Sequence, residues 1–363
     1  MIGQFVSSHN CFRIIFMTRV LYCISDRGPA LNTIIIPFVS IAIASAILLW
    51  FAMQMLPSSF LGAAITERSN HSQPARQLGG LAIVPAILVS LWIFGADTGL
   101  PVHFLVPATI AALILWVIGF LDDRHHLPES IRLVSQLIAS VIAIYGLGED
   151  FRLLPDFLPL LVERALLVVA LIYFINLTNF MDGIDLMVVA GLGLPLALLA
   201  GFSLFGLVSL GTGNLAMSIA GGLAGFSFFN RPKATVFLGD SGSLPIGLLS
   251  GLAFFMAARE TTILAGLILP LFFIADATST LFMRLAAGEN ILAAHSRHAY
   301  QVAKRSGWPV WLIITSVAAL NILLAACALF TLQSGWSGAL ATIIALAAVI
   351  ALLVRLRIGK SQN

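Results

Sequence analysis

Charge is what this 363-residue chain has least of: Asp, Glu, Lys and Arg make up 10% of it, against 60% apolar residues. Cysteine is almost missing. Cys11, Cys23 and Cys327 show neither metal-ligand spacing nor a disulfide framework. There is no GxxxxGK[ST] phosphate loop, and no small-residue cleavage site that would mark a secretory signal peptide. Internal repeats and low-complexity linkers are also lacking, which predicts a single domain. The mean hydropathy of +1.02 exceeds what a soluble domain of this size needs. The apolar runs do not alternate and outlast the roughly 9–11 residues of a barrel strand, which excludes an outer-membrane barrel. The net charge of +3 reads as membrane topology rather than a nucleic-acid surface, so no nucleic-acid partner is expected.

What is present is a series of apolar runs near 33–56, 79–96, 103–121, 132–148, 157–176, 187–204, 207–228, 241–257, 262–283, 309–331 and 337–354. A bilayer-spanning helix needs roughly 20 apolar residues, so the expected fold is an all-α polytopic membrane protein of about eleven transmembrane helices. Threading the runs puts Arg68, Arg76, Arg124, Arg132, Arg231, Lys233, Arg284, Arg297, Lys304, Arg305, Arg355, Arg357 and Lys360 on one side. The other side carries only Arg152, Arg164 and Arg259. The Lys/Arg-rich side is expected to be cytoplasmic. The transmembrane domain is expected over 33–354, with a basic tail at 355–363. Residues 1–32 fit the topology poorly; an extension and a start at Met17 or later both account for them.

Against this background, five aspartates stand at run ends on the cytoplasmic side: Asp122, Asp123, Asp182, Asp185 and Asp240. A carboxylate near hydrocarbon costs a few kcal/mol, so such acids are functional candidates. Asp122–Asp123 follow an apolar run directly and oppose the helix macrodipole. They suit metal or proton chemistry, although alone they also read as a charged membrane boundary. In NLTNFMDGIDLM, the residues Asn176, Asn179, Asp182 and Asp185 recur every third position and share one helical side. Amides and carboxylates in that pattern can coordinate a metal and a polar ligand. In FNRPKATVFLGDSGS, Asp240 opens an apolar helix whose free N–H groups favour anions, and it offers the oxygen ligand that Mg²⁺ prefers. HSRHAYQVAKR places His295 and His298 one turn apart beside Arg297, Lys304 and Arg305, which reads as a diphosphate clamp rather than a zinc site. Arg68, His71 and Arg76 in ERSNHSQPARQLGG carry a weaker signal. Most runs lack central charges; Glu163–Arg164 and Asp276 are the exceptions. The first pair is expected at the outer interface, and Asp276 is expected to face the bundle interior.

In their order over about 65–305, these motifs resemble the polyprenyl-phosphate N-acetylhexosamine-1-phosphate transferase family. That family includes phospho-MurNAc-pentapeptide transferase and the GlcNAc-1-phosphate transferases that start O-antigen and teichoic acid synthesis. The resemblance implies that Asp122 and Asp123 serve the lipid phosphate and that Arg132 faces the phosphates. Asn176, Asn179, Asp182 and Asp185 would form the helix-end motif of the active site, with Asp185 nearest the uracil. Asn230 and Phe237 would contact the nucleoside, Asp240 would bind Mg²⁺ with Asp182 beside it, and His295, Arg297 and His298 would form the histidine motif.

Three departures bear on the substrate. His295-Ser296-Arg297-His298 replaces the three-histidine run of the peptidoglycan enzyme, His125 and His126 stand where an acid or Lys is common, and Leu186 stands where Gly is common. Together with the helix count and cytoplasmic C-terminus, they point to the O-antigen/enterobacterial branch.

The expected activity is therefore transfer of a GlcNAc-, FucNAc- or QuiNAc-type 1-phosphate from a UDP-N-acetylhexosamine to undecaprenyl phosphate. UMP would leave, with Mg²⁺ (or Mn²⁺) as cofactor. The site is expected at the cytoplasmic face of a bacterial inner membrane, in contact with the lipid bilayer; a homodimer stays open. The competing readings are a secondary transporter, which acids and broken helices within the membrane would suggest, and an inactive scaffold. Clustering of the acids at one face opposes the first, and retention of every main acid opposes the second.

Overall fold

The computed structural model describes residues 27–62, 75–289, 296–333 and 335–359. His295, Arg68, His71, Lys360, Cys11 and Cys23 lie outside the described residues, as does most of the 1–32 segment. Among the described residues the secondary structure is helical, with isolated bridges at Gly62–Arg76 and Arg76–Val236.

In chain order the helices are α1 (Arg27–Met55), α2 (Gly79–Gly95), α3 (Val102–His125), α4 (Glu129–Gly146), α5 (Leu160–Phe180), α6 (Leu194–Leu204) and α7 (Leu210–Ser227). They continue with α8 (Asp240–Glu260), α9 (Ile263–Ile268), α10 (Leu271–Ala286), α11 (Ala299–Arg305), α12 (Val310–Phe330) and α13 (Trp336–Ile358). A π-helical turn, Val189–Gly193, leads directly into α6. Seven helices, α1, α3, α4, α5, α8, α12 and α13, are long and apolar enough to cross a membrane. The π-turn with α6, and α2, are shorter apolar helices. The protein is an all-α polytopic membrane protein. The expected run at 262–283 is not continuous, because Pro270 separates α9 from α10.

Helix boundaries follow from local chemistry. Pro101, Pro128, Pro159 and Pro309 stand in extended backbone immediately before α3, α4, α5 and α12. A proline lacks the N–H that a first turn leaves unused, so it starts a helix without loss. The α3 helix ends where His126 turns left-handed (φ 49°) and returns its N–H to the Asp122 carbonyl. Arg76 ends α1 from a distance: its guanidinium donates to the carbonyls of Met53 and Leu56, each at 3.1 Å. These carbonyls would otherwise lack helical partners.

The centre of the bundle is α8, with 83% of its apolar window buried, packed against α3 and α5. The approach to α3 depends on Gly119, because a Cβ there would sit 2.3 Å from the Asp240 carbonyl oxygen. Within the apolar interior, several polar groups are paired. Thr98, Asn214, Ser218 and Ser90 form a hydrogen-bonded chain between α2 and α7. Asn321 on α12 donates to the Ala190 carbonyl in the π-turn at 2.8 Å. At one end of the bundle Glu163 accepts from Arg152 Nε (2.5 Å) and the Leu153 and Leu154 N–H groups (2.5 and 3.1 Å). Arg164 donates to the carbonyls of Ile144, Gly148 and Phe151. This pair is engaged in holding its loop.

Candidate active site

The opposite end gathers the C-termini of α3 and α5 with the N-termini of α4 and α8. All five aspartates interact there, directly or electrostatically, and each meets a different environment.

Asp122 is buried. Its Oδ1 accepts the Leu127 N–H at 2.6 Å and its Oδ2 lies 3.1 Å from Arg132 Nη1. Arg132, in the first turn of α4, also faces Asp240 Oδ2 at 3.8 Å. One guanidinium therefore stands between two carboxylates from different helices. Asp240 is steadied on its other oxygen by the Asn179 amide at 2.8 Å, and that amide also donates to Ser243 Oγ at 2.9 Å.

Asp123 faces the other way along α3. Its Oδ1 accepts the N–H of Asp240 (2.8 Å) and its Oδ2 that of Ser241 (3.0 Å). The sequence suggested that the free N–H groups at this helix start would attract a ligand anion; the structure fills that place with the Asp123 carboxylate. Gly239, left-handed at φ 73°, brings the chain past Asp123 to make this cap.

Asp182 sits just after α5 in a partly open but densely packed position. Desolvation holds its carboxyl well above the usual range, and the charges of Asp240, Asp123 and Asp185 push the same way. Asp185 is buried and its Oδ2 accepts the Lys233 N–H at 3.1 Å. Lys304 on α11, its ammonium pKa lowered by burial, feels the Asp185 charge.

The remaining expected residues divide. Asn230 is buried, with its side-chain oxygen on the Leu186 N–H (2.7 Å) and its amide on the Val236 carbonyl (2.9 Å). It thereby braces the Asp185 loop, where Leu186 adopts a left-handed φ of 63°. This explains why Gly is at home at that position and what holds Leu there instead. Asn176 exchanges hydrogen bonds with Gln136 on α4 (2.6 and 3.3 Å), which directs its amide into the helix packing. Phe237 is half-buried, with its N–H and carbonyl tied to Arg76 and Gly79. Arg297 is exposed and paired with Glu289. His298 is buried, its ring stacked 6.2 Å from Phe180 and 5.9 Å from Tyr300.

Sequence reasoning missed Gln136, Tyr300 and the capping role of Asp123. The first two carry no motif signal. The third could have been read from the Gly239 helix start, which needs an acceptor.

As for a divalent cation, no group of three or more His, Cys, Asp or Glu side chains is arranged to hold one among the described residues. Mg²⁺ typically binds through one or two carboxylates, several waters and substrate phosphates. Asp182 and Asp240, whose charges interact, are the two carboxylates such an ion would use here.

Comparison with known proteins agrees with this geometry. The sequence model of glycosyl transferase family 4 matches residues 105–258, which run from within α3 to within α8 and include all five aspartates. A decaprenyl-phosphate N-acetylglucosaminephosphotransferase of Mycolicibacterium smegmatis is 30% identical, over 66% of this chain and 64% of the relative. A probable undecaprenyl-phosphate N-acetylglucosaminyl 1-phosphate transferase of Bacillus subtilis is 26% identical, over 64% and 66%. A phospho-N-acetylmuramoyl-pentapeptide-transferase of Enterococcus hirae is 31% identical, over 53% and 64%. The chain thus spans just under two thirds of the length of these relatives. With its aspartate motifs converging at one end of the bundle, the chain is similar to glycosyl transferase family 4 over that segment, and to polyprenyl-phosphate N-acetylglucosamine phosphotransferases over about two thirds of its length.

Proposed function

We propose that this protein transfers an N-acetylhexosamine 1-phosphate from a UDP-sugar to undecaprenyl phosphate, at the cytoplasmic face of a bacterial inner membrane. GlcNAc, FucNAc and QuiNAc are the donor sugars the sequence favours, and the product would start an O-antigen or related envelope polysaccharide. The observation that carries this reading is the placement of Arg132 between Asp122 and Asp240 at the mouth of an apolar bundle. One substrate is held in lipid and the other arrives from water, so the reaction belongs at such a boundary.

In the reaction, an oxygen of the lipid phosphate attacks the β-phosphorus of the UDP-sugar. A new P–O bond forms, the bond between the β-phosphorus and the bridging oxygen breaks, and UMP departs with the electron pair. Both reactants are anions, so the catalyst must neutralise and align them. Arg132 can supply positive charge to either phosphate from its place between the carboxylates. Asp122, fixed by the Leu127 N–H, orients the lipid phosphate and can take its remaining proton. With a second phosphate pKa of about 6, most of that phosphate is already dianionic at neutral pH, so orientation outweighs proton removal. Asn179 and Ser243 hold Asp240 in place. Asp182 and Asp240 would hold Mg²⁺, or Mn²⁺ in its stead, which when bound supplies charge neutralisation to the diphosphate. On this reading Asp123 and Asn230 act at one remove, through the α8 start and the Asp185 loop.

Purified protein incubated with Mg²⁺, undecaprenyl phosphate and each of radiolabelled UDP-GlcNAc, UDP-FucNAc and UDP-QuiNAc should carry label into the organic phase with at least one donor. No lipid-soluble label with any of them would overturn the proposal.

A further inference from the structure

Outside the carboxylate cluster, the Asp276 side chain on α10 is fully buried. Its Oδ1 accepts the N–H of Ala299, the first residue of α11, at 2.8 Å and the Thr280 hydroxyl at 3.3 Å. The same oxygen lies 3.4 Å from Arg357 Nη2 and 3.8 Å from His298 Nδ1. Its Oδ2 has no hydrogen-bond partner. Arg357 comes from the last turns of α13. Its guanidinium also donates to Ser279 Oγ (3.0 Å), Thr280 Oγ1 (2.8 Å) and Met283 Sδ (2.8 Å). Positions 276, 279, 280 and 283 share one helical face, so a single arginine ties the end of the last helix to one stripe of α10.

The connection continues into α11. Tyr300 is fully buried, stacked on His298, and its hydroxyl donates to the carbonyl of Phe180, the last residue of α5, at 2.9 Å. That hydroxyl occupies the space a side chain at Gly183 would need: a Cβ there would lie 2.2 Å from the Tyr300 oxygen and 2.7 Å from Gln301 Nε2. Gly183 stands between Asp182 and Asp185. A buried ion pair adds little net stability, but losing one partner leaves an uncompensated charge, so such a pair suits fixing one arrangement over others.

We propose that Arg357 and Asp276 are positioning residues for the Asp182–Asp185 loop: they seat α11 so that Tyr300 and Gln301 hold Gly183, linking the end of the last helix to the site. The kinetic consequence rests on the transferase reading above, whereas the structural consequence does not.

The test uses full-length wild type, Arg357→Ala, Arg357→Lys and Asp276→Asn in detergent, with two readouts. The first is backbone hydrogen exchange. Segments 180–187 and 298–305 should exchange about tenfold faster in Arg357→Ala, while the start of α8 is unchanged. Arg357→Lys, which keeps the charge and can reach the same acceptors, should return both segments towards wild type. The second readout is transfer kinetics. KM for the UDP-sugar should rise about fivefold in Arg357→Ala with KM for the lipid phosphate unchanged, because displacing the loop misplaces one substrate only. A smaller folded fraction would move neither KM. Should Asp276→Asn fail to fold, Arg357→Ala, whose side chain is partly exposed, carries the test. Unchanged exchange in both segments, or faster exchange spread evenly along the chain, would overturn the proposal. A wild type that transfers no sugar would sink the transferase reading and leave the exchange comparison to decide this one.

Discussion

Neighbouring aspartates on α3 have different partners. Asp122 meets Arg132 and the Leu127 N–H, whereas Asp123 closes the first turn of α8. Replacing an N-cap acceptor by alanine costs about 1–2 kcal/mol, and asparagine caps nearly as well as aspartate. Asp123→Ala should therefore melt earlier in detergent by that amount, while Asp123→Asn, retaining one acceptor, stays closer to wild type. If capping is its contribution, Asp123→Asn keeps transfer within about tenfold of wild type; complete loss at unchanged stability would instead place it on the substrate. Asp182 makes a pH prediction. Its folded-state pKa is raised by desolvation and by Asp240, Asp123 and Asp185. The folded protein therefore holds this proton more tightly than the unfolded chain does. The group's contribution is fully present below the ordinary carboxylate pKa, about 3.9, and is lost as pH rises through the elevated one. In the absence of divalent cations, thermal stability should fall over that window, and Mg²⁺ should offset the fall by displacing the proton. Melting curves across pH, with and without Mg²⁺, check it; identical curves would count against an Asp182 cation site.

At the scale of helices, polar side chains specify how apolar cylinders meet. Asn176 and Gln136 exchange hydrogen bonds between α5 and α4, where the alternative is an unsatisfied amide in hydrocarbon. Bilayer hydrogen bonds contribute roughly 0.6 kcal/mol on average and up to about 2, so a double-mutant cycle with Asn176→Ala and Gln136→Ala should show coupling in that range. Coupling near zero would release Asn176 for a role at the site. This pair also shows where the sequence runs out. Asn176, Asn179, Asp182 and Asp185 recur at one helical spacing, which predicts a single helical side. The helix ends at Phe180, however, so only Asn179 aligns with Asp240 from within the helix. Asp182 and Asp185 belong to the loop that follows, and Asn176 lies a turn below, among the helices. Periodicity extends a helix on paper past the point where Met181 and Gly183 end it. Apolar runs were legible because burial in lipid needs nothing more specific than length. The π-turn and the partners of buried amides were not, because each involves a residue far away in sequence.

On the scale of the whole molecule, charge is sorted by position. Glu163, Arg152 and Arg164 satisfy backbone at one end. At the other, Asp122, Asp240 and Arg132 meet where four helix ends converge around the enclosed helix α8. Asp276, a deep acid of the kind a transporter would use, is engaged with Arg357 and the α11 N-terminus. In the proposed function, the carboxylate cluster transfers a sugar phosphate between water and lipid. The most direct measurement is the ratio of UMP released to lipid-linked sugar diphosphate formed, in wild type and in Asp240→Asn at matched folded fraction. The account predicts one UMP per lipid product in wild type, and loss of both together in Asp240→Asn without change in melting temperature. UMP release without lipid product, or wild-type turnover in Asp240→Asn, would contradict it.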